Sequence, residues 1–222
     1  MSRPDAIDPM DLYLPAAADR PRPAVVVVHD GSDRPAPGYG SVPAARGVVG
    51  ATVDVDLDGG PDAYERADAR VRTAIGQVRD DRRVDAGRIA LWFFADSGLL
   101  SAEWLRNPPE WLRCVALTHP LLDVLPDRTA GPRFRPITAV EVVGVAAAVG
   151  VAGAMRAGEL PIVLTRVRGE RPGIATAVEA FVATAEAAKA DLTIVDVAAG
   201  RHTDEARRAF TVAVDRVLAT LR

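Results

Sequence analysis

Apolar residues along this chain recur with two periods, and the switching between them lays out the expected elements. Ala24-Val25-Val26-Val27-Val28 is an unbroken apolar run ahead of His29-Asp30-Gly31, which reads as a strand buried on both faces. Further runs suited to strands are Ala51 to Val55, Arg88 to Phe94, Arg113 to Thr118, Pro161 to Val167 and Leu192 to Val197, and Asp11 to Pro15 also has strand character. Between them the period lengthens. From Pro61 to Asp80 the apolar positions Ala63, Ala67, Val71, Ala74, Ile75 and Val78 fall on one helical face, which predicts a long amphipathic helix. A short helix is expected from Tyr39 to Arg46 with Gly47 ending it, another from about Gly98 to Arg106, and longer ones over Ile174 to Ala190 and Asp204 to Leu221. Strands alternating with helices predict an α/β protein, a mainly parallel sheet with helices on both faces.

Polar stretches rich in proline and glycine punctuate the pattern at Ala18 to Pro23, Asp30 to Gly38 and Asp56 to Gly60. No internal repeat or linker divides the chain, so one domain over residues 1–222 is expected. Residues 126–158 suit a cap or lid. Pro126 to Pro136 is a long loop rich in Pro, Arg, Asp and Gly, and it leads into the apolar run Ala139 to Ala154. That run holds Glu141 and three glycines and is too short for a bilayer-spanning helix.

Composition narrows the function classes. Hydrophobic residues at 49% and charged residues at 26% allow a sizeable core. A net charge of -3, a pI near 5.7 and no long basic block argue against nucleic acid or an anionic membrane as partner. The expected partner is a small-molecule ligand or substrate, and a homodimer is left open. The one cysteine, Cys114, lies in an apolar strand and excludes an intrachain disulfide or a cysteine-rich metal site. The three histidines lack metal-ligand spacing, and no phosphate loop or dinucleotide fingerprint occurs, so neither a metal nor a cofactor is expected. Met1 to Ala6 lacks the apolar core of a signal peptide, which predicts a cytoplasmic protein.

Three places carry the candidate chemistry. Val25 to Val28 runs into His29-Asp30-Gly31, Arg88 to Phe94 runs into Ala95-Asp96-Ser97-Gly98, and Gly200-Arg201-His202 follows the last strand. In that order they resemble the α/β-hydrolase superfamily, in particular its dienelactone-hydrolase-like and small esterase-like members, over nearly the whole chain. The resemblance implies an α/β-hydrolase-like sheet. It also implies that the family's nucleophile elbow, Gly-x-Ser-x-Gly, stands here as Phe93-Phe94-Ala95-Asp96-Ser97, with Ala95 at the nucleophile position. Alanine cannot form an acyl-enzyme. A shift of one residue would make Asp96 the nucleophile with Gly98 two residues on, similar to aspartate-dependent dehalogenases and epoxide hydrolases; a shift of two offers Ser97.

The remaining assignments follow from the same resemblance. Glu170, in Arg168-Gly169-Glu170-Arg171, matches the place of the catalytic acid, and its structural alternative is a surface carboxylate paired with Arg168 or Arg171. His202 matches the catalytic histidine, and Asp204 could instead hold it in a structural hydrogen bond. His29, Asp30 and Gly31 resemble the oxyanion loop. Asp30 and Asp96 would oppose an oxyanion if turned inward, whereas Asp96 also suits a helix start. A bland alternative for His29 is a strand-end histidine satisfied by backbone groups. His119 ends a strand at the edge where ligands bind in such folds and could line a pocket. The expectation is a diverged member that binds a small apolar molecule or does non-hydrolytic acid/base chemistry through His202. The alternative is an active ester or lactone hydrolase using Asp96 or Ser97.

Overall fold

The apolar runs fall side by side in one sheet. A computed structural model describes residues 5–16, 20–31, 39–58, 62–123, 132–134, 159–197 and 204–222, the side chains of 5, 6, 132 and 204–207 apart. Among these residues eight strands pair: β1 (Asp5–Ile7), β2 (Met10–Tyr13), β3 (Arg22–Asp30), β4 (Val49–Val55), β5 (Val84–Phe94), β6 (Leu112–Thr118), β7 (Ile162–Val167) and β8 (Leu192–Val197). Their spatial order is β1-β2-β4-β3-β5-β6-β7-β8. The pairs β1/β2 and β2/β4 are antiparallel and all the others are parallel.

Central position explains the continuous apolar runs. Val25 to Val28 are at most 1% exposed, because β3 lies between β4 and β5 and both of its faces are covered. Val26 and Val28 join Leu91 and Phe93 in one core beneath α2 (Ala63–Asp80), α3 (Ser101–Arg106) and α4 (Pro172–Ala187). Val25 and Val27 join Trp92 and Phe94 in the other, covered by α1 (Ser41–Ala45) and α5 (Asp204–Thr220). Each fully buried valine contributes roughly 1.5–3 kcal/mol of apolar transfer free energy, so these two layers set the register of the sheet.

Where element bounds differ from expectation, packing gives the reason. The helix expected from Gly98 to Arg106 starts instead as a 3-10 turn, Ala95–Leu100, and only Ser101–Arg106 is α-helical. Ser97 tightens that turn, because its Oγ accepts the Phe94 N–H at 3.0 Å and donates to the Phe94 carbonyl at 2.7 Å. The helix expected to reach Ala190 closes at Ala187, and Lys189 then takes a left-handed φ of 53°. β5 begins at Val84, where the chain pairs with Arg22. Of the expected cap, residues 126–158, only the turn Pro132–Phe134 lies within the described residues, and the run Ala139 to Ala154 lies outside them. Phe134 is fully buried with its ring 5.6 Å from Tyr64, and Arg133 donates to the buried Asp68 at 2.6 Å. No helix among the described residues is long and apolar enough to cross a membrane.

Candidate functional site at the carboxyl edge of the sheet

β5 ends in extended backbone at Phe94, φ −116° and ψ 140°, and the next residue, Ala95, is turned into the left-handed region at φ 49°. For a residue with a Cβ this conformation costs roughly 1–2 kcal/mol, so the surroundings must hold it. Three contacts do so. The Leu121 N–H donates to the Ala95 carbonyl at 2.9 Å. Ser97, fully buried, bridges to β3: its one hydroxyl proton is shared between the Val28 carbonyl at 3.0 Å and the Phe94 carbonyl at 2.7 Å, while its oxygen accepts the Phe94 N–H. Gly98 leaves room for the neighbouring loop, since a Cβ there would lie 2.7 Å from the Leu121 carbonyl oxygen. The sharp strand-to-helix turn is therefore present with a methyl group at its apex, and the Ser97 hydroxyl is engaged by backbone. Asp96 stands in the first turn of the 3-10 segment and is half-buried.

At the end of β3, His29 is 8% exposed, with Nδ1 3.4 Å from the Asp30 carbonyl and 3.7 Å from Asp54 Oδ1. Asp54 was not singled out from the sequence. The parallel register of β3 and β4 sets it directly opposite His29, a pairing that becomes visible only once the two strands are known to be neighbours. Asp30, Gly31, Asp54, Asp56 and Asp58 line an open cleft of about 560 Å³ with Arg70 on its wall. Four carboxylates on that side give the cleft a negative field, unfavourable to a developing oxyanion nearby.

β6 ends as β5 does: Thr118 is extended in the ladder and His119 has φ 50°. The His119 N–H donates to the Thr165 carbonyl of β7 at 3.2 Å, and the Trp92 indole N–H donates to Thr118 Oγ1 at 2.9 Å. His119 and Glu170 share the wall of a cavity of about 330 Å³ between the ends of β6 and β7 and the first half of α4. Arg166 braces that wall. Its guanidinium donates to Asp196 Oδ1 and Glu179 Oε1, both at 2.8 Å, and its hydrogen bonds hold the Asp196 carboxyl below its ordinary range.

The expected residues His29, Asp30 and Gly31, then Ala95, Asp96 and Ser97, then His119, then Glu170 thus follow the ends of β3, β5, β6 and β7 along one edge of the sheet, the edge at which parallel α/β sheets bind ligands. His202 lies outside the described residues. Cys114 is fully buried in β6, and burial pushes its thiol up to about 12, far from a reactive thiolate at neutral pH. Among the described residues no group of three or more His, Cys, Asp or Glu side chains could hold a metal ion.

Strand order, the antiparallel β2 and the left-handed residue closing β5 define the α/β-hydrolase fold, and this chain has it. No family model and no curated protein matches the sequence. Solved structures of esterases do match. A mutant of esterase rPPE is 15% identical with a TM-score of 0.68, over 96% of this chain and 79% of that one. EstE1, a thermophilic and thermostable carboxylesterase cloned from a metagenomic library, is 17% identical with a TM-score of 0.62, over 96% and 84%. Esterase 2 of Thermogutta terrifontis, phosphorylated by paraoxon, is 17% identical with a TM-score of 0.64, over 93% and 85%. At these identities the likeness is one of fold.

Proposed function

We propose that this chain is a diverged protein of the α/β-hydrolase fold that binds a small apolar molecule and does not hydrolyse esters through a serine. The observation that carries the reading is Ala95: the turn that would present a nucleophile is kept, φ 49°, and its side chain has no lone pair to attack with. Loss of the nucleophile alone costs a serine hydrolase on the order of 10⁶ in kcat, more than binding and oxyanion stabilisation recover. Transfer of the role to Ser97 would require a fully buried hydroxyl to leave three backbone partners. The carboxylates Asp30, Asp54 and Asp96 on the same edge further disfavour an anionic tetrahedral intermediate.

A second reading keeps acid/base chemistry through His202, or hydrolysis with Asp96 as nucleophile, because Asp96 is half-buried one residue past the elbow. The test is turnover of short-chain p-nitrophenyl esters and a dienelactone by wild type beside Asp96→Asn, Ser97→Ala and His202→Ala. The expected result is turnover no higher than a heat-denatured control, with thermal-shift binding of small apolar molecules unchanged in His202→Ala. Turnover that disappears in Asp96→Asn would overturn the proposal in favour of a relocated nucleophile.

A further inference from the structure

The cavity between the ends of β6 and β7 and α4 has more polar character than a purely apolar ligand requires. Its wall holds the ionisable residues His119, Arg166, Arg168, Glu170 and Glu179. Most of that charge is already matched. Arg166 and Glu179 are bonded to each other, Arg166 also grips Asp196, and Glu170 has its own interaction. Arg168 differs. Its backbone is held by the Val197 carbonyl at 2.8 Å, but its exposed guanidinium makes no hydrogen bond or ion pair with a described residue and senses Asp196 only through space.

Apolar residues also line the cavity, among them Ile174 and Val178 of α4 and Pro120. The first turn of this 16-residue helix carries no acidic side chain, so the positive end of its dipole adds to the potential of Arg168. The volume, about 330 Å³, is at the small end of the ~300–1,000 Å³ typical of small-molecule pockets.

We propose that this cavity takes a small organic carboxylate, its charged group on the Arg168 guanidinium and its apolar body against Ile174 and Val178. The inference rests on the binding role proposed above and amends its ligand from a wholly apolar molecule to one with an apolar body and one negative charge. Guanidinium–carboxylate pairing is the charge-assisted, geometrically matched interaction that Arg168, unpaired among the described residues, can supply, and the apolar lining fits a short alkyl or aryl group.

The test compares hexanoate and phenylacetate with hexanamide and phenylacetamide, which keep the shape and lose the charge, by thermal shift and isothermal titration calorimetry on the full chain. The acids should bind wild type about tenfold more tightly than the amides, and Arg168→Gln, a change on the surface, should erase that difference by weakening the acids. Val178→Phe, which fills the cavity, should abolish binding of all four in a protein whose circular dichroism stays native. Equal affinity for acids and amides, an unchanged preference in Arg168→Gln, binding that survives Val178→Phe, or no binding of any probe would each overturn the assignment. Ester turnover by wild type is read separately: it would sink the non-hydrolytic role without touching the preference measured at Arg168.

Discussion

The ends of β5 and β6 are built alike and carry different chemistry. Phe94 and Thr118 pair in register, and each is followed by a non-glycine residue in the left-handed region, Ala95 at φ 49° and His119 at φ 50°. The two turns are joined, since the Leu121 N–H, two residues past His119, donates to the Ala95 carbonyl at 2.9 Å. At the first turn the strained backbone holds a methyl group; at the second it holds an imidazole beside a cavity. Strain of this kind persists only where packing over-determines it. Here the determinants are Ser97, Gly98 and the Leu121 amide, none of which depends on what the side chain at residue 95 can do. The turn at Ala95 is thus held by its neighbours whatever side chain stands at residue 95.

The largest break in this comparison should come from Gly98→Val. A Cβ there meets the Leu121 carbonyl oxygen at 2.7 Å and Pro120 Cβ at 2.8 Å, both on the loop that links the two strand ends. Backbone cannot give way cheaply, so a loss of about 3 kcal/mol is expected in urea unfolding. A neutral result would mean that the loop after His119 does not hold the elbow. Next comes Ser97→Ala, which strips the Phe94 N–H and the Val28 carbonyl of a buried partner. It should cost about 2 kcal/mol by the same measurement, with ester turnover at background in wild type and variant alike; turnover present in wild type and lost in Ser97→Ala would give the hydroxyl a catalytic role.

The smallest effects separate the two ends themselves. Ala95→Gly relieves left-handed strain at the expense of a more flexible unfolded chain, and should stabilise by about 0.5 kcal/mol. His119→Gly gains the same relief and loses a ring from the cavity wall, so its net effect should be a destabilisation of about 1 kcal/mol. Equal responses in chemical denaturation would show that the imidazole contributes nothing beyond its backbone.

Local pattern and tertiary neighbours divided the information between them. The unbroken run Val25 to Val28 and the helical spacing from Ala63 to Val78 were legible because periodicity is a property of contiguous residues, and burial on both faces of β3 and one face of α2 follows from it. A turn between the strand ending at Phe94 and the helix expected from Gly98 was legible as well, whereas the left-handed φ of 49° at Ala95 was not, since the backbone angle depends on what packs around it. Asp68 was not: it lies on the apolar face of α2 at 3% exposure, where periodicity argues against a charge, and it is compensated by Arg72 on its own helix and by Arg133 from a distant turn. Asp54 opposite His29 and the Leu121 amide beneath Ala95 were likewise decided by which strands became neighbours and in what register. A sequence determines directly what each segment must bury, since that depends on spacing along the chain. Which polar atoms meet at the ends of the strands is settled only when segments tens of residues apart pack together, because hydrogen bonds and ion pairs act over a few ångströms of space.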